Sequence, residues 1–399
     1  MIYDFKASGN YFKLDFDIQL EKDQQVYCFI GENGVGKTKL LQTLAGFSLY
    51  KHSMFDYYQT REDGKFRQFK LNEELFSQIK QLKVNISDKI YFNDGYTEYD
   101  YAPRPTLLAI DDIDNRSMYF GNRQTIDKPI IFISAKNRGY ISGLNDSRTF
   151  RLDGSSTERF IRSFLHTYNS IYDRDIATDS VTNWLLQRLV MANSAISGTE
   201  GLRKEATFFI ECLNKFAPEL NLLHYATDGK PVINCSYING DFYIADVSIQ
   251  NLSTGYASIL RIIQEIIGGL SDWDNNIDLH NADGIVFIDE IDLHLHPKWQ
   301  FKIIDLLKEF FPKVTFYITT HSPLVLFNLK NGEGYKLNKD EKNLVTTQKI
   351  EQNNMQFIGD IIKQFFDVDG VSIRKADEDK MKQARKNLLD FIKENQDEQ

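Results

Sequence analysis

The 399 residues suffice for one large or two ordinary domains, and 42% hydrophobic with 26% charged residues is the composition of a globular chain with a sizeable core. A net charge of −9 excludes a uniformly basic nucleic-acid binder, and no apolar run reaches the roughly 18 residues that a membrane span needs. Cys28, Cys212 and Cys235 lack pair or metal spacing and residues 1–20 lack the apolar stretch of a signal peptide, which together predict buried thiols in a reducing cytoplasm.

In chain order, alternating residues over 11–20 predict short antiparallel strands, and the apolar run from Val26 to Ile30 predicts a buried strand ending at Gly31. Leu40, Leu41, Leu44 and Phe47 recur at helical spacing from Lys37 onward. From 52 to about 126 the pattern is polar, Tyr-rich and irregular, with strands expected around 91–101. Residues 129–134 form a second apolar run of the parallel-strand kind. The segment 157–216 is mostly helical by periodicity, with Phe160, Ile161, Phe164, Leu185, Leu186 and Leu189 as apolar faces. Asn239-Gly240 between Tyr237 and Tyr243 predicts a tight hairpin, since both residues tolerate positive φ.

After the hairpin, Ile259, Ile262, Ile263, Ile266 and Ile267 stripe a helix; strands at 285–288 and 314–319 follow, with a helix at 297–311 opened by Pro297. The tail from Asp377 mixes charges of both signs, as a solvated helix does. The alternation predicts an α/β fold, a mixed sheet with an antiparallel β subdomain and a helical insertion. The expected divisions are a first core part at 1–140, the insertion or lid at 141–245, a second core part at 246–350 and a helical tail at 351–399.

Residues 31–38, Gly31-Glu32-Asn33-Gly34-Val35-Gly36-Lys37-Thr38, match the phosphate-binding G-x-x-x-x-G-K-[ST] loop between a strand and a helix. Gly31, Gly34 and Gly36 let backbone N–H groups, including that of Asn33, converge on phosphates, with the helix dipole behind them. Lys37 would reach the β- and γ-phosphates of ATP and the Thr38 hydroxyl would ligate Mg²⁺. The strand at 285–288 ends in Asp289-Glu290. Side chains alternate along a strand, so the two carboxylates would point different ways, Asp289 to the Mg²⁺ shell and Glu290 to the attacking water as general base.

His321 follows a buried strand and either donates to the γ-phosphate or caps the turn before Pro323. Leu252-Ser253-Thr254-Gly255-Tyr256 stands where the isoleucine-striped helix begins. Ser253 and Gly255 there make either a second anion site or an ordinary N-cap. His294 and His296 have zinc-like spacing but no third and fourth ligand. Tyr96, Tyr99 and Tyr101 suit a sheet face better than base stacking.

These four segments, in this order, resemble the ABC-type head of the P-loop NTPases. The loop at 31–38 resembles its Walker A, 252–256 its signature, 285–290 its Walker B, and His321 its switch histidine. Asp292 resembles the D-loop aspartate that meets an opposing subunit. The signature departs from the family at Thr254 and Tyr256, and Ala135-Lys136-Asn137-Arg138 stands where a Q-loop glutamine is usual, leaving phosphate, DNA or a second subunit as candidate contacts of Arg138.

Long insertions between Lys37 and Ser253, and the stretch 290–297, resemble the RecF, SMC and OLD branch more than a transporter subunit. Sustained heptads of the SMC kind are missing, and the segment after His321 lacks the acidic triad of an OLD nuclease. The resemblance therefore implies a stand-alone ATPase like those of Septu and PARIS anti-phage systems. It would form a homodimer or higher oligomer around ATP and Mg²⁺ and control a separately encoded effector or nuclease, with DNA as a further candidate partner and no membrane. The alternative is a RecF-like DNA-binding ATPase of repair, for which Arg148, Arg151 and Arg159 would supply the basic face.

Overall fold

The computed structural model describes residues 4–7, 14–50, 61–62, 65–66, 90–93, 98–101, 126, 128–136, 138–139, 141, 166–167, 170–171, 181–192, 200–227, 231–238, 241–273 and 278–350. The chain divides into two compact units, residues 1–353 and 354–399, and the second, with the expected helical tail, lies outside the described residues. So do Arg148, Arg151 and Arg159.

Seventeen strands are named here in chain order. The first eight are β1 (Asp4–Ala7), β2 (Asp15–Gln19), β3 (Val26–Ile30), β4 (Arg61–Glu62), β5 (Lys65–Phe66), β6 (Ile90–Asn93), β7 (Glu98–Tyr101) and β8 (Ile130–Ile133). Next come β9 (Leu223–Tyr225), β10 (Pro231–Ile233), β11 (Cys235–Ile238), β12 (Asp241–Ile244) and β13 (Val247–Ser248). The last four are β14 (Asp283–Ile288), β15 (Lys313–Thr319), β16 (Gly334–Lys339) and β17 (Leu344–Lys349). Among the described residues the helices named here are α1 (Lys37–Tyr50), α2 (Val181–Ala192), α3 (Glu200–Phe216), α4 (Thr254–Trp273), α5 (Pro297–Phe310) and the single turn α6 (Pro323–Leu326).

Ten strands make one mixed sheet in the order β7-β6-β1-β2-β17-β16-β3-β15-β14-β8. Its working half, β3-β15-β14-β8, is parallel, and its other end is built from the antiparallel pairs β1–β2, β1–β6 and β6–β7. The parallel strands are buried and mostly apolar, apart from exposed Asp283 and Lys313 at their starts, because both faces are covered. On one face Leu40, Leu41 and Leu44 of α1 join Tyr27, Phe29, Phe132, Phe287 and Tyr317 in a common core. On the other, Gly269 of α4 lies so close to Ile131 that a Cβ would sit 2.5 Å from its Cγ1.

An aromatic row crosses the parallel strands in register. Tyr27 and Tyr317 stack at 4.9 Å, Tyr317 and Phe287 at 5.0 Å, and Phe287 and Phe132 at 6.5 Å. Such pairs stabilise by about 0.5–1.5 kcal/mol each beyond their burial, and here they fix the relative height of four strands. The C-terminal ends therefore arrive level, which brings Gly31, Asp289, Thr319 and Ser134 to one edge.

The expected insertion contains α2 and α3, joined by the Arg188–Glu205 ion pair and by Arg188 lying 3.9 Å from the Trp184 ring centroid. β11 and β12 pair antiparallel with Ile238 opposite Asp241, and the expected turn residues Asn239 and Gly240 lie outside the described residues. Two features of the fold depart from the sequence expectations. The β16–β17 hairpin, unforeseen, enters the main sheet beside β3 and β2, and the strands around 91–101 extend that same sheet through β1. Cys28 and Cys212 are buried as expected, but Cys235 is only half-buried, because it lies on a small three-stranded sheet outside the main core.

Candidate nucleotide site

β3 delivers the chain to residues 31–36 at the edge where the parallel strands end. Gly34 has φ +79° with open space around its missing Cβ, and Gly36 has φ +108°. Both lie in the left-handed region, so an L side chain would be strained there. Lys37 and Thr38 then open α1. The Lys37 ammonium is buried and donates to the Gly31 carbonyl at 2.7 Å and the Glu32 carbonyl at 2.9 Å. It is thus folded back over the loop whose N–H groups would face a phosphate. Burial lowers its pKa to about 8, against the opposing pull of Glu290, Asp289 and Asp292.

Thr38 joins the loop to the end of β14. Its hydroxyl donates to the Asp289 carboxylate, with both oxygens at 3.0 Å, and the Thr319 hydroxyl donates to Asp289 Oδ1 at 2.6 Å. A hydroxyl and a carboxylate side by side beneath a phosphate loop are hard-oxygen donors suited to Mg²⁺, which takes few protein ligands and completes its octahedron with phosphate and water. The fit is good. Among the described residues no group of three or more His, Cys, Asp or Glu side chains is placed to hold a metal, so a protein-only metal cage has no support there.

Glu290 is not placed by the strand alternation expected of it. β14 ends at Ile288, and Glu290 stands in a turn with φ +47° rather than on an alternating strand. Its N–H is held by the Thr319 hydroxyl at 2.7 Å. The turn continues through Asp292, whose carboxylate accepts from the Thr320 hydroxyl at 2.6 Å and the His321 N–H at 3.1 Å. Asp292 thus binds the His321 turn of its own chain. Thr319 and Asp292 together lock Glu290 and His321 into one rigid unit.

His321 is half-buried, and its pKa is held below the usual range by burial first and the Lys37 ammonium second, against Asp292, Glu290 and Asp289. Its imidazole is therefore neutral at pH 7, able to donate one hydrogen bond without a second positive charge beside Lys37. Because the unfolded chain takes up that proton more readily, stability holds above about pH 6.5 and declines as pH falls below it. His321→Asn is expected to flatten this decline, read from urea midpoints between pH 7 and pH 5.

Ser253 caps α4, accepting from the Tyr256 N–H at 3.5 Å, and both Ser253 and Thr254 are exposed. Gly255 is buried against the turn after Glu290, where a Cβ would lie 2.9 Å from the His294 carbonyl and 3.0 Å from the Trp299 ring. Ser258 also donates to the Leu293 carbonyl at 3.2 Å. The helix start at 253–255 is consequently fastened to the segment that carries Glu290. His296 caps α5 through its ring nitrogen, which accepts from Lys298 N–H at 3.3 Å, and the His294 ring lies against Gly139.

Two hydroxyl residues escaped the sequence motifs. Thr319 and Thr320 are buried hydroxyls that position both acidic residues, and the only hint of them was their place between a buried strand and His321. Arg138, which has no exposed surface to offer DNA, is 1% exposed and donates through Nη2 to the Glu290 carbonyl.

The chain is similar to several known proteins. The chain is 25% identical over 386 residues to the Septu protein PtuA of Bacillus mycoides strain KBAB4, covering 92% of this chain but 44% of that one. It is 24% identical over 362 residues to the Septu protein PtuA of Bacillus thuringiensis, covering 88% and 79%. Over 114 residues, 26% of this chain and 21% of the relative, it is 38% identical to an Escherichia coli protein named "Retron Ec83 probable ATPase". The chain therefore spans less than half of the Bacillus mycoides relative and about four-fifths of the Bacillus thuringiensis one. Residues 124–326, just over half of the chain and including β8, α4, β14 and His321, match the family described as "AAA domain, putative AbiEii toxin, Type IV TA system". With that match over just over half of its length, the chain belongs to this AAA-domain family.

Proposed function

We propose that this chain is a Mg²⁺-dependent ATPase that closes into a head-to-tail dimer around two ATP molecules and, through that closure, controls a separately encoded effector, a nuclease, in anti-phage defence. The observation that carries the ATPase reading is the meeting of the Thr38 hydroxyl with the Asp289 carboxylate at 3.0 Å, beneath a loop whose glycines hold left-handed φ. When bound, Mg²⁺ would neutralise phosphate charge and polarise the terminal phosphoryl group. This chain's residues would supply the rest. Backbone N–H groups of 33–38 and Lys37 bind the phosphates, Glu290 accepts the proton of the attacking water, and neutral His321 donates to the terminal phosphate.

The dimer reading rests on 253–255. Ser253 and Thr254 expose a helix start and a hydroxyl to solvent, while Gly255 behind them is packed on the turn of Glu290. A phosphate reached from a second copy would thereby bear on the base of the first chain's own site. Ser253→Arg is expected to leave ATP binding to the monomer within about threefold and to abolish ATP-dependent dimers, since a bulky cation replaces the small hydroxyl at the contact. Sedimentation with ATP and Mg²⁺ checks this; a normal dimer in that variant counts against the arrangement.

The defence role and the partner are supported by the likeness to the two Septu proteins. Pull-downs with the wild type and Glu290→Gln, each with and without ATP, test them. Co-purification of a protein with nuclease activity, enriched with ATP, is the expected result. Recovery of DNA alone would favour the RecF-like repair reading instead.

A further inference from the structure

Arg138 follows β8 and is buried to 1% exposure, among the largest fully buried side chains in the described residues. Its Nη2 donates to the carbonyl of Glu290, whereas among the described residues its Nε and Nη1 have no hydrogen-bond partner. Idle donors on a buried cation are unfavourable, and an apolar side chain of similar volume would fill the space at lower cost. Packing alone is therefore a poor account of an arginine here. Its charge lies in the field of Asp289, Asp292 and Glu290, the same three carboxylates that bear on Lys37 and His321. Burial lowers its pKa only to about 10, so it remains a cation at neutral pH.

The peptide that Arg138 grips is the unusual one. Glu290 holds φ +47° and His294 φ +69°, so the turn has a non-glycine residue in the left-handed region at each end. Such a turn persists only where its surroundings over-determine it. Thr319 holds the Glu290 N–H, Arg138 shares its carbonyl with the Leu293 N–H of the same turn (2.9 Å), and Gly139 presses on the His294 ring, where a Cβ would come within 2.8 Å. The segment 138–139 thus meets both ends of the turn.

We propose that Arg138 is a positioning residue: by gripping the Glu290 carbonyl it holds the left-handed turn that aims the Glu290 carboxylate, and it fills the place of a Q-loop side chain without touching the nucleotide. This rests on the reading of Glu290 as the base. In Arg138→Gln, kcat is expected to fall at least about 30-fold while the Kd for a fluorescent non-hydrolysable ATP analogue stays within about threefold. Arg138→Lys, whose amine can still donate to one carbonyl, should recover kcat to within about tenfold of wild type and covers the case in which Arg138→Gln does not fold. In a Glu290→Gln background, Arg138→Gln should add almost nothing to the loss of turnover, because both changes act on one group.

An unchanged kcat in Arg138→Gln overturns the proposal, as does a Kd weakened tenfold or more, which would make Arg138 a nucleotide contact. Fully additive losses in the double variant overturn it too. A wild type that does not hydrolyse ATP overturns the ATPase reading itself, and this inference with it. A wild type that hydrolyses, with Glu290→Gln inactive and Arg138→Gln normal, overturns this inference alone.

Discussion

Glu290→Gln is expected to lower ATP turnover by about 10²–10⁴-fold while leaving nucleotide affinity near the wild-type value. The amide keeps the shape of the side chain and the turn, whose backbone hydrogen bonds run from the Glu290 N–H to Thr319 and from Arg138 and the Leu293 N–H to its carbonyl. It removes only the capacity to accept the proton of water. Binding groups on α1 and the glycine loop are untouched, so ATP should accumulate uncleaved and the closed dimer with it. Phosphate release and sedimentation, measured on one preparation with ATP and Mg²⁺, check the two halves of this expectation. A variant that turns over at the wild-type rate would remove Glu290 from the chemistry.

Lys37→Ala acts on the opposite side of the site. The Lys37 ammonium already lies across the loop, held by the carbonyls of Gly31 and Glu32, so it is pre-positioned for phosphate rather than recruited from solvent. Losing it should weaken ATP binding by about 100-fold, the order of one desolvated charge-assisted contact. A pH signature accompanies the loss. With the folded pKa lowered to about 8 by burial, the empty site loses its cation as pH rises through 8. Wild-type affinity should therefore fall between pH 7 and pH 9, and the slope should be missing in Lys37→Ala. Titration of a fluorescent ATP analogue across that range measures both effects.

Much of this site is legible in the residue order. The run Val26–Ile30, the glycines at 31, 34 and 36, and the leucines of α1 specify strand, loop and helix by local rules alone, and the structure forms them there. The isoleucine stripe likewise gives α4, with Ile259, Ile262, Ile263, Ile266 and Ile267 all buried. What stayed hidden depends on distant parts of the chain. The orientation of Glu290 comes from a left-handed turn braced by Thr319, 29 positions away, and by Arg138, 152 positions away, and no local pattern announces either. Residues 334–349 hid for a related reason. Their strands are partly exposed and mix Lys, Asn, Thr and Gln with apolar residues, and they gain their place from pairing with β3 and β2 rather than from a strong apolar run.

The central claim is that one working site is assembled from two chains, Lys37 from one and Ser253 from the other. Mixing Lys37→Ala with Ser253→Arg tests it directly by ATP turnover. Each variant alone has both composite sites damaged and should be inactive. In a mixed dimer one site pairs the intact Lys37 of one chain with the intact Ser253 of the other. The mixture should then regain turnover, up to about half that of the wild type, since each mixed dimer holds one intact site of two. A mixture no more active than its parents, with mixed dimers verified by differential tags, would contradict the account.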